Sequence, residues 1–249
     1  MIGLLCATPE ELAALRARLS AEPAEGRFGP TRVWTGEHAG QPFALALCGL
    51  GKVNAAAAAT LLLSVFGAKT LVFAGVAGGL NPELPVGAVL LADRLAIHDY
   101  GLVAAGEFIP TLSGQLPIGA ERLTTLAPVA PKVAADLTLL AQRVATALGD
   151  PIRLGGLVTA DYFLNCVETR QTLHATFGAD AIDMESGAVA QVAAAWDAPL
   201  YVVRTLSDLA GEDSHLTYPE MAAMAARNSA LCVLELFEIL RAHGDVGIG

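Results

Sequence analysis

Three carboxylates in the sequence each follow an apolar stretch that predicts a buried strand. Glu11 comes after MIGLLCA, Glu185 after Ala181-Ile182, and Asp208 after LYVVRTL. In an α/β protein, ligands bind at the edge of the sheet where the carboxyl ends of the strands meet. Acids gathered at such an edge could exchange protons with a ligand or hold its hydroxyl groups. We therefore take these acids as candidate catalytic residues.

Each of these acids also has a purely structural interpretation. Glu11 lies three residues after Thr8, with Pro9 between them, which is the spacing of a helix capping box. Asp183 could cap the helix that follows it, and Glu185 could complement the dipole of that helix. Taken singly, capping is the commoner role at a strand-to-helix junction. Only the three acids together favour a ligand site.

The neighbours of the acids add other functions that a pocket needs. Met184 lies between two acids, and Phe163 lies in a loop after the predicted strand Ile152 to Thr159. An aromatic ring in that position could stack on a flat ligand, or it could simply pack the loop onto the core. Arg204 lies inside an apolar strand. It should have an anionic or hydroxyl partner, because an unpaired buried charge is costly.

Two glycine-containing segments could bring the backbone close to a ligand. They are CGLGK at 48–52 and GVAGG at 75–79. Neither has the spacing of a P-loop or of a dinucleotide-binding fingerprint, so we expect no cofactor. A tight turn and a pocket wall are equally good interpretations of the second segment.

The composition excludes several classes of function. The 249-residue chain has a formal net charge of −10, so a nucleic-acid partner is not expected. The apolar run Ala55 to Ala68 is too short to span a bilayer, and the first residues lack the features of a signal peptide. We expect a cytoplasmic protein with no membrane partner. The 54% hydrophobic and 16% charged residues suggest that some surface is buried against another subunit.

The cysteines and histidines do not indicate a metal site. Cys6, Cys48, Cys166 and Cys232 are far apart in the sequence, and the five histidines form no cluster. We interpret the cysteines as buried, inert thiols rather than as a disulfide framework. No bound metal is expected.

Strand-like and helix-like segments alternate along the chain. This pattern predicts one α/β domain over residues 1–249 with a largely parallel sheet, and a frayed tail from about residue 242. One helix is predicted from Val133 to a stop at Gly149-Asp150-Pro151, and the last from Pro219 to about Arg241. The segment Gly101 to Pro131 has few periodic signals, so we expect it to be functional or packed against a partner.

Taken together, these fragments resemble a known family. AIDMES, GAVAQVA and VVRTLSD, with MIGLLCATPEE, CGLGKVNAAAAAT, FAGVAGGL, IHDYG, LVTADYF and DSHLTY, are similar in sequence and order to the 5′-methylthioadenosine/S-adenosylhomocysteine nucleosidases. Those enzymes form a branch of the purine nucleoside phosphorylase superfamily. The resemblance implies a single-domain, three-layer α/β/α fold with a central mixed, largely parallel twisted sheet, and a homodimer.

The resemblance also implies a reaction, the hydrolysis of the N-glycosidic bond of an adenine thionucleoside. Asp208 would protonate adenine N7, Glu11 would orient and deprotonate the attacking water, and Glu185 would hold the ribose hydroxyls. Among the implied substrate-binding residues, Met184 would lie along the ribose, and Phe163, Leu164 and Ser207 would surround adenine. Leu50, Thr8 and Tyr218 would meet the 5′ group, together with Phe108 and Pro117 from a neighbouring subunit. The other implied pocket residues are Arg204, Val76, Ala77 and Gly78.

Two departures from the phosphorylases favour water as the nucleophile. Their phosphate-binding loop reads Gly-Asp-Pro-x-Arg, whereas residues 7–11 here read ATPEE. Their hydroxyl residue after the glycine corresponding to Gly75 is replaced by Val76. The alternatives are a futalosine hydrolase, a true phosphorylase of the same scaffold, and a protein that binds adenine nucleosides without turnover.

Overall fold

The computed structural model describes residues 1–148, 151–211 and 213–245. The predicted helix stop at Gly149-Asp150 and the tail residues 246–249 lie outside these ranges. The helices are α1 Pro9–Arg16, α2 Lys52–Ser64, α3 Pro131–Leu148, α4 Val167–Phe177, α5 Ser186–Ala195 and α6 Ser214–Asp245.

The strands alternate with these helices through most of the chain. They are β1 Ile2–Cys6, β2 Ala21–Pro23, β3 Arg32–His38, β4 Gln41–Leu47, β5 Thr70–Gly79, β6 Val89–Ile97, β7 Gly101–Ala104, β8 Glu107–Pro110, β9 Ala127–Pro128, β10 Ile152–Thr159, β11 Ala179–Asp183 and β12 Leu200–Asp208.

Several predicted boundaries need correction. β5 continues through Gly79, so the glycine-rich segment is a strand and not a turn. β12 includes Ser207 and Asp208, which the sequence placed after its end. The segment Gly101 to Pro131 contains the β7–β8 hairpin and β9. α6 begins at Ser214 and continues to Asp245, beyond the predicted fraying point.

One mixed sheet forms the centre of the molecule. Its order is β11-β10-β6-β12-β5-β1-β4-β3-β2, with β9 added beside β6. Five of its pairings are parallel and five are antiparallel, so the parallel pairings do not outnumber the others. β11 also pairs with β5, where Ala181 and Ile182 lie opposite Gly79 and Gly78. This pairing closes five strands into a ring.

Helices pack against the two sides of the sheet and complete two apolar cores. Leu4 of β1 belongs to a cluster with side chains of α1, α3 and α6. The next residue, Leu5, belongs to a second cluster with side chains of α2 and α5. Successive strand residues point to opposite faces, so an apolar run such as β1 is buried on both. None of the helices in the described ranges is long and apolar enough to cross a membrane.

The cysteines agree in part with the interpretation as buried thiols. Cys6, Cys48 and Cys232 are buried, whereas Cys166 is only half-buried, and all four are free. Burial raises the pKa of Cys48 to about 12. A thiol with such a pKa is not a reactive nucleophile near neutral pH.

We predict that Asp180→Ala lowers the free energy of unfolding by about 3 kcal/mol, because it leaves buried donors without a partner. Asp180 is buried. Its Oδ2 accepts from Gly156 N–H at 2.9 Å and its Oδ1 from Asn81 Nδ2 at 2.8 Å, which links β10, β11 and the end of β5. Urea unfolding measures the change. Glu25→Ala, at an exposed carboxylate, is the control, and equal midpoints for the two variants would contradict the prediction.

Candidate active site

The carboxyl ends of several strands surround a cavity of about 220 Å³. All of the predicted site residues except Arg204, Phe108 and Pro117 line this cavity. The residues that line it are Thr8, Glu11, Leu50, Val76, Ala77, Gly78, Phe163, Leu164, Met184, Glu185, Ser207, Asp208 and Tyr218. The cavity is also lined by Ala7, Tyr162, Ile182 and Asp183, which are not among the predicted catalytic and substrate-binding residues. The three acids are therefore neighbours of one space, as their positions after apolar strands predicted.

Glu11 caps α1 and also lines the cavity. Its Oε2 accepts from the N–H groups of Ala7 at 2.6 Å and Thr8 at 3.1 Å, which together with the Thr8 hydroxyl completes the capping box of α1. Its Oε1 accepts from Val76 N–H at 2.9 Å. Burial raises the pKa of Glu11, and the nearby charge of Arg204 and these hydrogen bonds partly oppose the shift. The cap thus fixes a carboxyl group that also lines the cavity.

Glu185 reaches across to another part of the chain. Its Oε1 accepts from Gly51 N–H at 2.9 Å, and its side chain makes no capping hydrogen bond to α5. Gly51 has a φ of 90°, a conformation that favours glycine. Burial, followed by the charge of Asp183, raises the pKa of Glu185 to about 7. Glu185 thus occupies the N-cap position of α5, while its side chain contacts Gly51 instead of capping the helix.

Asp183 is the residue that organises the start of α5. Its Oδ2 accepts from Ser186 N–H at 3.0 Å, and its Oδ1 accepts from the Thr159 hydroxyl at 2.5 Å. Its Oδ2 also lies 2.6 Å from Arg204 Nη2. These contacts use most of the lone pairs that a carboxylate offers. We therefore assign Asp183 a supporting role.

Arg204 lies behind the cavity rather than in its lining. Its side chain is fully buried, with Nη2 2.6 Å from Asp183 and 3.7 Å from Glu185. Its guanidinium carbon lies 4.1 Å from the centroid of the Phe73 ring. Within the described chain its Nε and Nη1 have no hydrogen-bond partner. The expected anionic partner is present, but the structure gives no cavity contact to support direct substrate binding by Arg204.

Gly75 of β5 makes this packing possible. A Cβ atom built on Gly75 would clash with Nη1 of Arg204 and with Oε1 of Glu11. Two charged groups therefore occupy the space where any other residue would place its side chain. The sequence signal for this close approach is the Gly-x-x-Gly-Gly end of β5, although the sequence alone did not distinguish it from a turn.

Asp208 also lines the cavity, at the end of β12. Its Oδ1 accepts from Ala210 N–H at 2.8 Å, and its Oδ2 accepts from the Ser207 hydroxyl at 3.0 Å. Burial raises the pKa of Asp208, and hydrogen bonds from Ala210, Ser214 and Ser207 partly oppose the shift. A carboxyl group with a raised pKa can carry the proton that a general acid must donate.

Aromatic side chains form the outer wall of the cavity. The rings of Phe163 and Tyr218 contact edge to face, with centroids 6.0 Å apart and planes at 83°. Phe163 is 48% exposed and Leu50 is 56% exposed, and both line the cavity. A flat, partly apolar ligand would cover both.

Phe108 and Pro117 do not line the cavity of this chain. Phe108 lies in β8, in the hairpin that is separate from the main sheet, and Pro117 lies in the segment after it. Their expected contribution was from a neighbouring subunit. Their positions here neither add to the cavity nor oppose that expectation.

The chemistry of the cavity is that of proton transfer beside a hydroxylated or flat ligand. The described residues contain no group of three or more His, Cys, Asp or Glu side chains that could hold a metal ion. Acids that line one cavity, with pKa values raised by burial, are suited to general acid–base catalysis.

Comparison with known proteins identifies the family of this chain. The model of the phosphorylase superfamily matches residues 1–238. The 5′-methylthioadenosine/S-adenosylhomocysteine nucleosidase of Mycobacterium tuberculosis is 39% identical over 254 residues, which cover 97% of this chain and 98% of that protein.

Two solved structures have the same fold over almost the whole chain. The Neisseria meningitidis 5′-methylthioadenosine/S-adenosylhomocysteine nucleosidase, in complex with methylthio-immucillin-A, is 28% identical with a TM-score of 0.81, covering 95% of this chain and 97% of that one. The futalosine hydrolase of Helicobacter pylori is 25% identical with a TM-score of 0.81 and the same coverage. By the family model and the near full-length relative, this chain belongs to the phosphorylase superfamily.

Proposed function

We propose that this protein is an N-glycosidase that hydrolyses 5′-methylthioadenosine, S-adenosylhomocysteine or both, releasing adenine and the 5-thioribose. The observation that carries the proposal is the convergence of Glu11, Glu185 and Asp208 on one cavity with an aromatic wall. The relatives named as nucleosidases for these two substrates support it.

Asp208 acts as the general acid on the leaving base. Adenine leaves far more readily as a neutral molecule than as an anion, so a proton must reach N7 as the glycosidic bond breaks. The raised pKa of Asp208 favours the protonated form that can supply it. Ser207 and Ala210 fix the carboxyl orientation. Leu164 and Phe163 then hold the edge and face of the base.

Glu11 activates the attacking water. Its carboxyl group is held by three backbone N–H groups, so it needs little reorganisation to accept a proton. Val76 of β5, whose N–H bonds to Glu11, has an apolar side chain where a phosphorylase has a hydroxyl group. An acid and an apolar side chain would not bind a phosphate ion, so water is the nucleophile.

Glu185 and Met184 hold the ribose. As the glycosidic bond breaks, the sugar gains positive charge, and a carboxylate next to it stabilises that charge. A cationic sugar would also oppose the raised pKa of Glu185 and favour its ionised form. Thr8, Leu50 and Tyr218 lie around the remaining part of the cavity, where they contact the 5′ group.

We also propose a homodimer of single-domain, three-layer α/β/α subunits. The two apolar clusters on either side of the sheet support the layers. Large apolar side chains are exposed in the segment that carries β7 and β8, namely Val103, Phe108, Leu112, Leu116 and Ile118. Contact with a second subunit would cover them, and would bring Phe108 and Pro117 to the partner's 5′ pocket.

Futalosine hydrolysis is the second candidate. The Helicobacter pylori futalosine hydrolase matches this fold with the same TM-score as the nucleosidase from Neisseria meningitidis. We expect the 5′ pocket around Leu50, Phe108 and Tyr218 to discriminate between the two substrates, so the substrate must be found by assay.

The first prediction concerns the substrate and the nucleophile. The protein should release adenine from methylthioadenosine or adenosylhomocysteine at the same rate with and without phosphate, because no Lys or Arg is among the described residues that line the cavity. The assay measures the free base from these two compounds, futalosine, adenosine and inosine. Strict dependence on phosphate would identify a phosphorylase, and binding without release would identify a non-catalytic protein.

The second prediction concerns the general acid. Asp208→Asn should lower kcat at least ~100-fold, the lower range for losing one acid–base group, while nucleoside binding is retained. In the wild type, kcat should fall as pH rises through the raised pKa of Asp208, because the unprotonated form cannot donate. Steady-state kinetics over a pH series, with calorimetric binding, tests both. Near-normal turnover of the variant would contradict the assignment.

The third prediction concerns the water. Glu11→Gln should also lower kcat about 100-fold or more, because an amide cannot accept the proton. Its matched control is Glu10→Gln, which makes the same change at the exposed neighbouring residue and should retain wild-type kcat. The thermal midpoints of both variants show whether the α1 cap survives. Equal kcat values for the two variants would refute the role of Glu11.

A further inference from the structure

A cluster of three charged residues joins the start of α2 to the segments that follow β6 and β10. Lys52 begins α2, Asp99 lies two residues after β6, and Asp161 lies two residues after β10. Lys52 Nζ bonds to Oδ1 of Asp99 and lies 3.7 Å from Oδ2 of Asp161. None of the three lines the cavity, so none has a part in the proposed chemistry.

Hydrogen bonds to the backbone make this cluster more than an ion pair. Oδ1 of Asp161 accepts from Lys52 N–H at 2.8 Å, and Oδ2 of Asp99 accepts from Asp161 N–H at 2.8 Å. Each bond fixes the path of the main chain and not only a flexible side chain. The start of α2, the end of β6 and the loop after β10 are therefore held to one another.

Each cluster residue adjoins a residue that contacts the site. Gly51, before Lys52, donates its N–H to Glu185 at 2.9 Å. Tyr162, after Asp161, lines the cavity together with Phe163. The Tyr162 hydroxyl lies 2.8 Å from Nε2 of His98, the residue before Asp99. The cluster thus connects the backbone that orients Glu185 with the loop that carries the aromatic wall.

We propose that Lys52, Asp99 and Asp161 are positioning residues that set the spacing between the ribose-binding acid Glu185 and the base-stacking loop. The inference rests on the proposed function. In a nucleoside the sugar and base are covalently joined, so both must be held at a fixed separation for the glycosidic bond to align with the acid and the water. Free adenine has no such requirement.

We expect the spacing to depend on the backbone hydrogen bonds of the cluster more than on its charges. The side chains of Lys52, Asp99 and Asp161 are 20%, 21% and 45% exposed, and ion pairs at such sites contribute little to stability. Removing Asp161 should therefore leave the fold intact. Asparagine retains an oxygen that can accept from Lys52 N–H, so Asp161→Asn should preserve the spacing.

The test compares turnover of an intact nucleoside with binding of free adenine. The substrate is the thioadenosine nucleoside that the wild type hydrolyses fastest. Asp161→Ala should lower kcat about tenfold to 100-fold, as expected for misplaced reacting groups. The Ki of free adenine should change less than about threefold, the scale of one exposed ion pair. Asp161→Asn should restore kcat to within about threefold of the wild type, since its acceptor remains.

Glu168→Ala is the matched control, because it removes an exposed carboxylate from the nearby α4 and should retain wild-type kcat. If Asp161→Ala retains wild-type kcat, or loses adenine binding as strongly as turnover, the positioning role is wrong. Failure of Asp161→Asn to restore kcat would also overturn it. An inactive wild type would refute the proposed function and this inference together. If the wild type is active, the variants test the positioning role alone.

Discussion

The burial of Arg204 among three carboxyl groups is the constraint on which the site depends. Its guanidinium group is inaccessible to water, with Asp183 at 2.6 Å and Glu185 at 3.7 Å. Glu11 also contributes to its raised pKa. Burial raises the pKa values of Glu11 and Glu185, the charge of Asp183 adds to the shift at Glu185, and Arg204 opposes the shift at both. The fold itself therefore places titratable protons beside the cavity.

The backbone around Arg204 has been shaped by the same constraint. Gly75 leaves space for the guanidinium group and for Glu11. Asp183 ends β11, which pairs with both β10 and β5, and Arg204 lies opposite Gly75 in the β12–β5 pairing. The ring of strands thus brings the carboxylate partner and the glycine space to the same buried charge.

The sequence predicts those parts of the site that depend on local patterns. Apolar runs locate β1 and β12, and strand ends meet at one edge, so the meeting of Glu11, Glu185 and Asp208 could be predicted. The capping box of α1 was likewise visible in the spacing of Thr8 and Glu11. Family resemblance supplied the assignment of roles, which the patterns alone left open.

The remaining features depend on contacts between distant segments. The antiparallel β11–β5 pairing leaves no periodic signal, so the sequence could not show that β5 continues through Gly79. The placement of Arg204 behind the cavity follows from which face of β12 it occupies, and an all-apolar strand does not reveal its faces. Asp208 differs from Glu11 and Glu185, because burial raises its pKa and Arg204 does not oppose the shift. In the proposed mechanism, the acid that protonates the base therefore lies outside the group of carboxyls whose pKa values Arg204 lowers, whereas the acids assigned to the water and the sugar belong to that group.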